Sequence, residues 1–540
     1  MNLLPSSETS TPLYHHLLKQ LRLQFLEPSV TQIALDSPPG QWKDQYGQAF
    51  APPLTSLGAS SQTDSAGITG NWQIPLAGLS AQQVNSQLEQ FHTGDQLPGH
   101  PSLPTHITPQ PTLASIAASL WPMVSGPNLC SSASGSPFVS AEQALTQNLA
   151  KQIGWEPETC EGIFTFGGTG TILYALRIAI ERCFPGSWES GIKTPVAILC
   201  SQQAHHACQR AAAWLGIGKN HVIAVQTDSA ASMRMDDLEN KLRELTQKQI
   251  PVAAILATCG TTDAFGFDSV AQIDSLRRRL QLELHWPTLP YLHADAVVGW
   301  PWIFFGQYDF ATNPLQFPAD LGTALQTTAA LAQQIHFADS WGVDFHKTGF
   351  TPYTSSLLIL REKKWLDPLC ISADEAPYFL SSEEGEPGAY TLETSRSGVG
   401  PIMAWASLWQ LGITGFQVLL AHATELAESL KRQLVKIPGV EVLNTATHGP
   451  AVLTRVVPTH GSLSPAQADQ LQNQIAADSL QKARSGNGTA WGITTAILPA
   501  NSPHQPTCKV RCLKSFCFSP HMTQHHLQSL LEAVRSAAVA

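Results

Sequence analysis

Short apolar runs alternate with longer amphipathic stretches through most of this chain. A helical run over Ala141–Ile153 precedes Phe164-Thr-Phe-Gly-Gly-Thr-Gly, and a second helix, Thr171–Cys183, carries Leu173, Leu176, Ile178 and Ile180. The pattern then predicts strands at Val196–Cys200, Val222–Val225, Val252–Ala257, Tyr291–His293 and Ser356–Leu360. Helices at Cys208–Leu215, Asp236–Gln249 and Ala271–Leu284 separate the first four of these strands. Strands this short and this apolar, alternating with helices, form βαβ units around a sheet buried on both faces.

Both ends of the chain change style. The first hundred or so residues are rich in Ser, Thr, Gln and Pro, as in Ser37-Pro-Pro-Gly and Ala51-Pro-Pro-Leu, with helical stretches near Leu13–Leu26 and Ala81–Phe91. That composition predicts an arm rather than an independent core. From residue 440 onward, strands come in a run: Val440–Leu443, Val452–Val457, Trp491–Ile497 and Lys509–Phe518, closed by a helix at Gln524–Ala537. These form a smaller α+β lobe. The expected division is an arm at 1–115, a large domain at 116–398 and a small domain at 399–540.

Composition narrows the function classes. With 31 Lys+Arg against 41 Asp+Glu, the net charge of −10 argues against bulk neutralisation of phosphates, hence against nucleic acid. A hydrophobic share of 43% excludes a wholly disordered chain. No run approaches the about 20 consecutive apolar residues of a membrane helix. The start at Met1 lacks a basic region followed by an apolar one, and ten scattered cysteines read as reduced thiols, so a cytoplasmic protein is expected. Cys508, Cys512, Cys517 and His521 fit no standard zinc spacing, and no metal is expected.

Five segments carry candidate chemistry. Lys347, preceded by His346 and flanked by Trp341, Phe345 and Phe350, has the desolvated setting that a Schiff-base lysine requires. Asp295 ends the run Tyr291-Leu-His-Ala-Asp, where a buried carboxylate needs a cationic partner such as a protonated pyridine nitrogen. Phe166-Gly167-Gly168-Thr169-Gly170-Thr171 opens a helix and suits one phosphate, being neither a dinucleotide nor a Walker fingerprint. His205 and His206 follow one strand, and Thr261 and Thr262 follow another. Taken singly, each is more often an ordinary turn, cap or surface pair. All five in succession, at predicted strand ends where open α/β sheets bind ligands, are not.

In these segments the chain resembles the pyridoxal-phosphate-dependent group II amino acid decarboxylases, which act on glutamate, aspartate, aromatic amino acids and histidine. The resemblance runs from roughly His100 to the last helix. It is strongest in Ser201-Gln-Gln-Ala-His205, Ala257-Thr-Cys-Gly-Thr-Thr, Leu292-His-Ala-Asp295-Ala, Asp344-Phe-His346-Lys347 and Thr391-Leu-Glu-Thr-Ser-Arg396-Ser-Gly398. It implies the aspartate-aminotransferase-like fold (fold type I): a large α/β domain with a mostly parallel sheet, a smaller α+β C-terminal domain and an N-terminal arm.

It also implies roles. Lys347 carries pyridoxal 5'-phosphate, Asp295 pairs with the ring nitrogen and His205 stacks on the ring. Gly168, Thr169, Asp344 and His346 lie around the phosphate, with Asp344 standing where an uncharged partner is expected. Thr262, or Thr261, sits near the 3-hydroxyl. Arg396 is the one arginine assigned to the substrate. The proton donor falls to Tyr378, Tyr390 or His205. The expected reaction is α-decarboxylation of an L-amino acid, with an acidic substrate favoured. Carbon–carbon cleavage, decarboxylation coupled to oxidative deamination, and a non-catalytic scaffold are the alternatives. A homodimer with shared active sites is expected, the arm wrapping the partner. Three departures stand out: Trp300–Gln334 reads as an insertion, Cys370–Tyr390 is a short loop, and Ser136–Glu142 matches only in part.

Overall fold

The computed structural model describes residues 13–22, 74–89, 99–372, 374–375, 386–458, 463–498 and 508–539. Seven strands build the main sheet: β1 (Glu161–Thr165), β2 (Ala197–Ser201), β3 (Val222–Val225), β4 (Val252–Thr258), β5 (Tyr291–Asp295), β6 (Ser340–Asp344) and β7 (Ser356–Leu360). Their order is β1-β7-β6-β5-β4-β2-β3. β7 runs antiparallel to both its neighbours, and every other pairing in the sheet is parallel.

The apolar runs are continuous because both faces are covered. Ile198 and Cys200 of β2 and Ala254 and Leu256 of β4 pack with Leu176 and Ile180 of the helix Gly168–Cys183. The alternate residues Leu199 and Ile255 belong to the opposite core, with Ile273 and Leu280 of the helix Val270–Leu284. The period of two thus sorts one strand between two cores. Gly342 of β6 lets the helix Gly168–Cys183 lie flush on the sheet, since a Cβ there would sit 2.6 Å from Thr171 Oγ1.

A second sheet, β8 (Val440–Val442), β9 (Ala451–Val456), β10 (Gly492–Leu498) and β11 (Cys508–Phe516), is wholly antiparallel in the order β10-β11-β9-β8. The helix Val399–Leu434 leads into it and bends at Gly412, whose φ of 60° and ψ of 175° leave the helical region. By length and composition this helix is apolar enough to cross a membrane, but Phe416, Leu420 and Leu430 are fully buried within the chain, as in a core helix.

Two segments singled out in the sequence take definite places. The segment Trp300–Gln334 joins the large domain's core. It forms a 3₁₀ turn, Trp300–Phe305, and a helix, Ala319–Ala332, and Trp300, Trp302 and Phe305 are buried in the main core. The arm's helix Leu13–Arg22 docks on that same segment of its own chain: Tyr14 N donates to Leu315 O (3.2 Å), and the Tyr14 ring meets Phe317 edge-on at 5.3 Å.

Candidate active site

The carboxyl ends of β4, β5 and β6 lie side by side, with Thr258 opposite Asp295 and Asp295 opposite Gly342. Asp295 is therefore the last residue of β5, and Asp344 the last residue of β6 next to it. A single helical turn, Phe345–Thr348, follows β6 at once and carries Lys347.

That turn is held from several sides. Trp300 Nε1 donates to Asp344 O (3.3 Å), Thr348 Oγ1 to Val298 O (2.9 Å) and Ser407 Oγ to Gly349 O (2.6 Å). The Phe345 ring stands between Trp300 at 5.1 Å and Phe164 at 5.9 Å. A reactive lysine on a turn fixed this way is positioned by the core rather than by a loop.

Lys347 Nζ forms an ion pair with Asp344 Oδ2 at 2.9 Å, and His346 Nε2 stands 3.6 Å from the same oxygen. Ser356 Oγ donates to Asp344 Oδ1 at 2.6 Å. Burial works to depress the Lys347 ammonium, but the Asp344 carboxylate, helped by Asp295, outweighs it and holds the pKa above the usual lysine value. Lys347 still keeps 22% of its side chain exposed, so the amine is accessible.

Asp295 is the more unusual group. Its Oδ1 is buried and meets no hydrogen-bond donor. Burial pushes its pKa up to about 6, with Lys347 drawing it down and Asp344 pushing it further up. A buried acceptor without a partner costs about 1–3 kcal/mol, a cost removed when a ligand N–H arrives.

His205 lies at the turn after β2. Burial, then His206 and Lys347, push its pKa down to about 4, so it is neutral at pH 7. Its Nδ1 accepts from Ala207 N (3.3 Å), which leaves the hydrogen on Nε2. A neutral ring suits stacking better than acid catalysis.

The phosphate-type turn closes the same edge. Gly167 has a φ of 139°, open only to glycine, and a Cβ on Gly168 would come within 2.9 Å of Asp344 Oδ2 and 3.0 Å of Val297 Cγ1. The start of the helix Gly168–Cys183, with Thr169 exposed in its first turn, thus abuts Asp344. Thr261 is buried, its Oγ1 accepting from Gly266 N (2.9 Å) within its own turn, while Thr262 is half-buried. Lys514 of β11 clamps that loop, donating to Thr262 O (2.6 Å) and Asp263 Oδ1 (3.0 Å).

Two assignments are corrected. Arg396 is not a free cation for substrate: its Nη1 and Nη2 meet Glu142 Oε1 (2.6 Å) and Oε2 (3.1 Å), and they also donate to Phe164 O and Leu129 O. Glu142, 254 residues away, claims the guanidinium before any ligand can. Tyr390 is not beside Lys347. It packs with Trp365 in the core beneath the helix Gly168–Cys183, and burial, Glu161 and Glu142 raise its pKa. Tyr378 lies outside the described residues.

Sequence reasoning passed over two residues near the site. Trp300 supports the Lys347 turn, and Tyr353 lays its ring 4.1 Å from that of His346. Trp300 was legible only as aromatic density; Tyr353 stood in plain view six residues after Lys347.

Residues 100–288 match the pyridoxal-dependent decarboxylase conserved domain. The chain is similar to an aspartate 1-decarboxylase of Aliivibrio fischeri, at 25% identity over 70% of this chain and 66% of that protein. It is also similar to an L-2,4-diaminobutyrate decarboxylase of Rhizobium meliloti, at 27% identity over 67% of this chain and 66% of that one. In both cases the match spans just under two thirds of the relative. Among solved structures, the glutamate decarboxylase domain of a diaminobutyrate-pyruvate transaminase and L-2,4-diaminobutyrate decarboxylase from Vibrio parahaemolyticus superposes with a TM-score of 0.70 at 18% identity, covering 94% of each chain. That likeness shows the fold.

The residues present fit pyridoxal phosphate. An accessible lysine stands on a fixed turn, and a buried carboxylate oxygen lacks a donor. The start of the helix Gly168–Cys183, with its first N–H groups, lies at the same edge, Gly168 being close-packed against Asp344 and Val297. Over residues 100–288 the chain thus carries a pyridoxal-dependent decarboxylase conserved domain, and over about 70% of its length it is similar to amino acid decarboxylases.

Proposed function

We propose that this protein removes the α-carboxylate of an L-amino acid as CO₂, using pyridoxal phosphate held at Lys347. The observation that carries this reading is the unpartnered Oδ1 of Asp295 on the strand end next to the Lys347 turn. When bound, the cofactor supplies a sink for the electron pair released as the Cα–carboxylate bond breaks. Asp295 would hold a proton at the ring nitrogen through that free oxygen. His205, neutral and short of hydrogen-bond demands, would cover one ring face. Gly168 and Thr169 N–H groups would receive the phosphate, with His346 beside them. Lys347 would return to displace the product amine, its leaving partner Asp344 remaining bonded to Ser356.

Within this reading we take the substrate to be acidic, as the Aliivibrio relative is an aspartate 1-decarboxylase. One observation favours a second reading, a substrate with a distal amine. Two of the cations around the site are engaged, Arg396 by Glu142 and Lys514 by Asp263, and the Rhizobium relative is a diaminobutyrate decarboxylase. The test is CO₂ release from the cofactor-loaded protein given each of the twenty amino acids and diaminobutyrate. Release from aspartate or glutamate sustains the first reading, release from diaminobutyrate the second. Release from none defeats both.

We further propose a homodimer. Trp121, Met123 and Val124 of the helix Leu113–Ser125 and Trp409 of the helix Val399–Leu434 are 67–80% exposed, on two helices that pack together. Large apolar side chains grouped this way call for a cover, and a second copy supplies a symmetric one. Sedimentation showing an active monomer would refute it.

A further inference from the structure

We propose that His346 takes up a proton from solvent when Lys347 leaves Asp344 for the cofactor, so that loading the site is coupled to proton uptake. This rests on the cofactor part of the reading above, not on which bond the enzyme then breaks.

Two groups share one oxygen. Asp344 Oδ2 stands 2.9 Å from Lys347 Nζ and 3.6 Å from His346 Nε2, and only 1% of the Asp344 side chain is exposed. Before loading, the ammonium satisfies that carboxylate. Burial holds the imidazole below the usual histidine pKa, with Asp344 pulling it up and Lys347 pushing it down. His346 is thus kept neutral in part by the very amine that the cofactor consumes.

Loading removes that restraint. An amine joined to an aldehyde carbon no longer sits beside Asp344 as a free ammonium. The phosphate adds negative charge at the start of the helix Gly168–Cys183, where a Cβ on Gly168 would lie 2.9 Å from the same Oδ2. A buried carboxylate beside an anion needs a cation. Its other neighbours supply none. Asp295 is itself an acid, Ser356 offers a hydroxyl, and His205 is held neutral first by burial, its Nδ1 already accepting from Ala207 N.

His346 is placed to be that cation. Charged, it presents two N–H groups, and each has an acceptor in place: Ser355 O at 3.1 Å from Nδ1, and Asp344 Oδ2 on the Nε2 side. In the neutral ring Nδ1 can instead accept from Ser355 N at 3.3 Å, and protonation exchanges that bond for the one to Ser355 O. The Tyr353 ring lies 4.1 Å from the imidazole, tilted by 39°, and an aromatic face favours a cation over a neutral ring.

The step is a protonation alone. One hydrogen ion passes from water to the imidazole, whose lone pair forms the new N–H. The His346 pKa is therefore higher with cofactor than without. Its share of the affinity is full below the cofactor-free value and is lost as pH rises to the loaded value, by about tenfold per pH unit.

The test uses full-length protein carrying nitrogen-15 in its histidine rings, with and without pyridoxal 5'-phosphate at pH 7.5, and NMR reads the charge on each ring. We expect one histidine to pass from neutral to charged on loading. Its signal should be missing in His346→Gln and remain neutral in loaded Asp344→Asn. Equilibrium dialysis from pH 7 to pH 9 is the second readout: wild type should lose cofactor affinity more steeply than His346→Gln, by up to about tenfold per pH unit. A loaded wild type in which no histidine gains a proton overturns the proposal, even if His346→Gln fails to fold. So does a gain that survives His346→Gln or Asp344→Asn, and so do parallel affinity profiles for wild type and His346→Gln. If the cofactor gives no visible absorbance that Lys347→Ala removes, the cofactor reading falls and this proposal with it. A loaded protein that releases no CO₂ loses the decarboxylase reading and leaves this proposal standing.

Discussion

The two ends of β5 and β6 bury similar groups in opposite ways. Before β6, Asp339 meets the fully buried Arg277, whose Nη1 donates to Asp339 Oδ2 (2.7 Å) and Pro290 O (2.6 Å), and whose Nε donates to Asp274 Oδ1 (2.9 Å). Leu292 N adds a further bond to Asp339 Oδ2 (2.8 Å). At the other end, about 17 Å along the strand, Asp295 and Asp344 stand beside a single Lys347. There Asp295 Oδ1 has no donor at all. The first cluster is saturated and serves the fold. The second leaves a buried carboxylate oxygen unmet next to a partly exposed lysine, a pairing that suits an incoming N–H group.

Breaking each cluster should therefore fail differently. Lys347→Ala is expected to lower kcat by about 1,000-fold or more and to abolish the visible absorbance of lysine-bound cofactor, while thermal unfolding of the cofactor-free protein shifts little. Arg277→Met strands the buried Asp339 carboxylate, while Asp274 keeps Arg278 Nε at 2.8 Å, and should cost about 3 kcal/mol of stability. The fraction that stays folded should turn over normally. Calorimetry with active-site titration checks both. A folded Arg277→Met beside an unfolded Lys347→Ala would reverse the comparison.

Asp295→Asn probes the unmet bond itself. Losing a charge-assisted contact of about 1.5–3 kcal/mol predicts a fall in kcat of about 10- to 100-fold. The cofactor-free protein offers a second readout. Burial holds Asp295 at about 6, above its unfolded value, so the folded chain binds this proton more tightly than the unfolded one. Stability from this group is thus greatest at low pH and falls as pH rises from about 4 to 6, by about 3 kcal/mol in full. Asparagine removes that slope. Asp268, which burial pushes to about 7, adds a slope of the same sign that should survive the substitution. Urea unfolding at pH 4.5 and pH 7 separates the two, and an unchanged slope in Asp295→Asn would show that the oxygen is not isolated.

What the sequence disclosed and what it hid divide along the same line. Lys347, Asp295, His205 and the Gly167–Gly168 turn were legible because each sits in a short motif next to a strand that periodicity reveals. β6 was not, because Ser340 and Asp344 break its apolar run. Their partners, His293 at 2.8 Å and Ser356 at 2.6 Å, come from other strands. Arg396 looked like a substrate ligand because nothing local announces Glu142. Tyr390 is near Arg396 in sequence, but a loop's sequence does not say which side of the sheet it will join. The arm's docking on Leu315 and Phe317 was hidden for the same reason: the contact joins segments about 300 residues apart.

The smallest expected effect concerns how the site is loaded. Asp344 holds the Lys347 ammonium at 2.9 Å and outweighs the desolvation that would otherwise free its proton. A protonated amine cannot attack an aldehyde, so Asp344 slows capture of the cofactor even as it positions the lysine. Asp344→Asn keeps the Ser356 contact available and removes the charge. Its Lys347 should lose its proton at lower pH, and the rate of cofactor capture by the apoprotein at pH 7.5 should rise several-fold, about tenfold for each pKa unit recovered. Stopped-flow absorbance across pH 6–9 follows the capture directly, without any turnover. The gain should hold steady while both lysines are protonated and shrink only as pH nears the lowered pKa of Lys347 in Asp344→Asn. A capture rate equal to wild type throughout that range would mean that the ion pair is loose in solution, and that the carboxylate guards the lysine no more closely than water does.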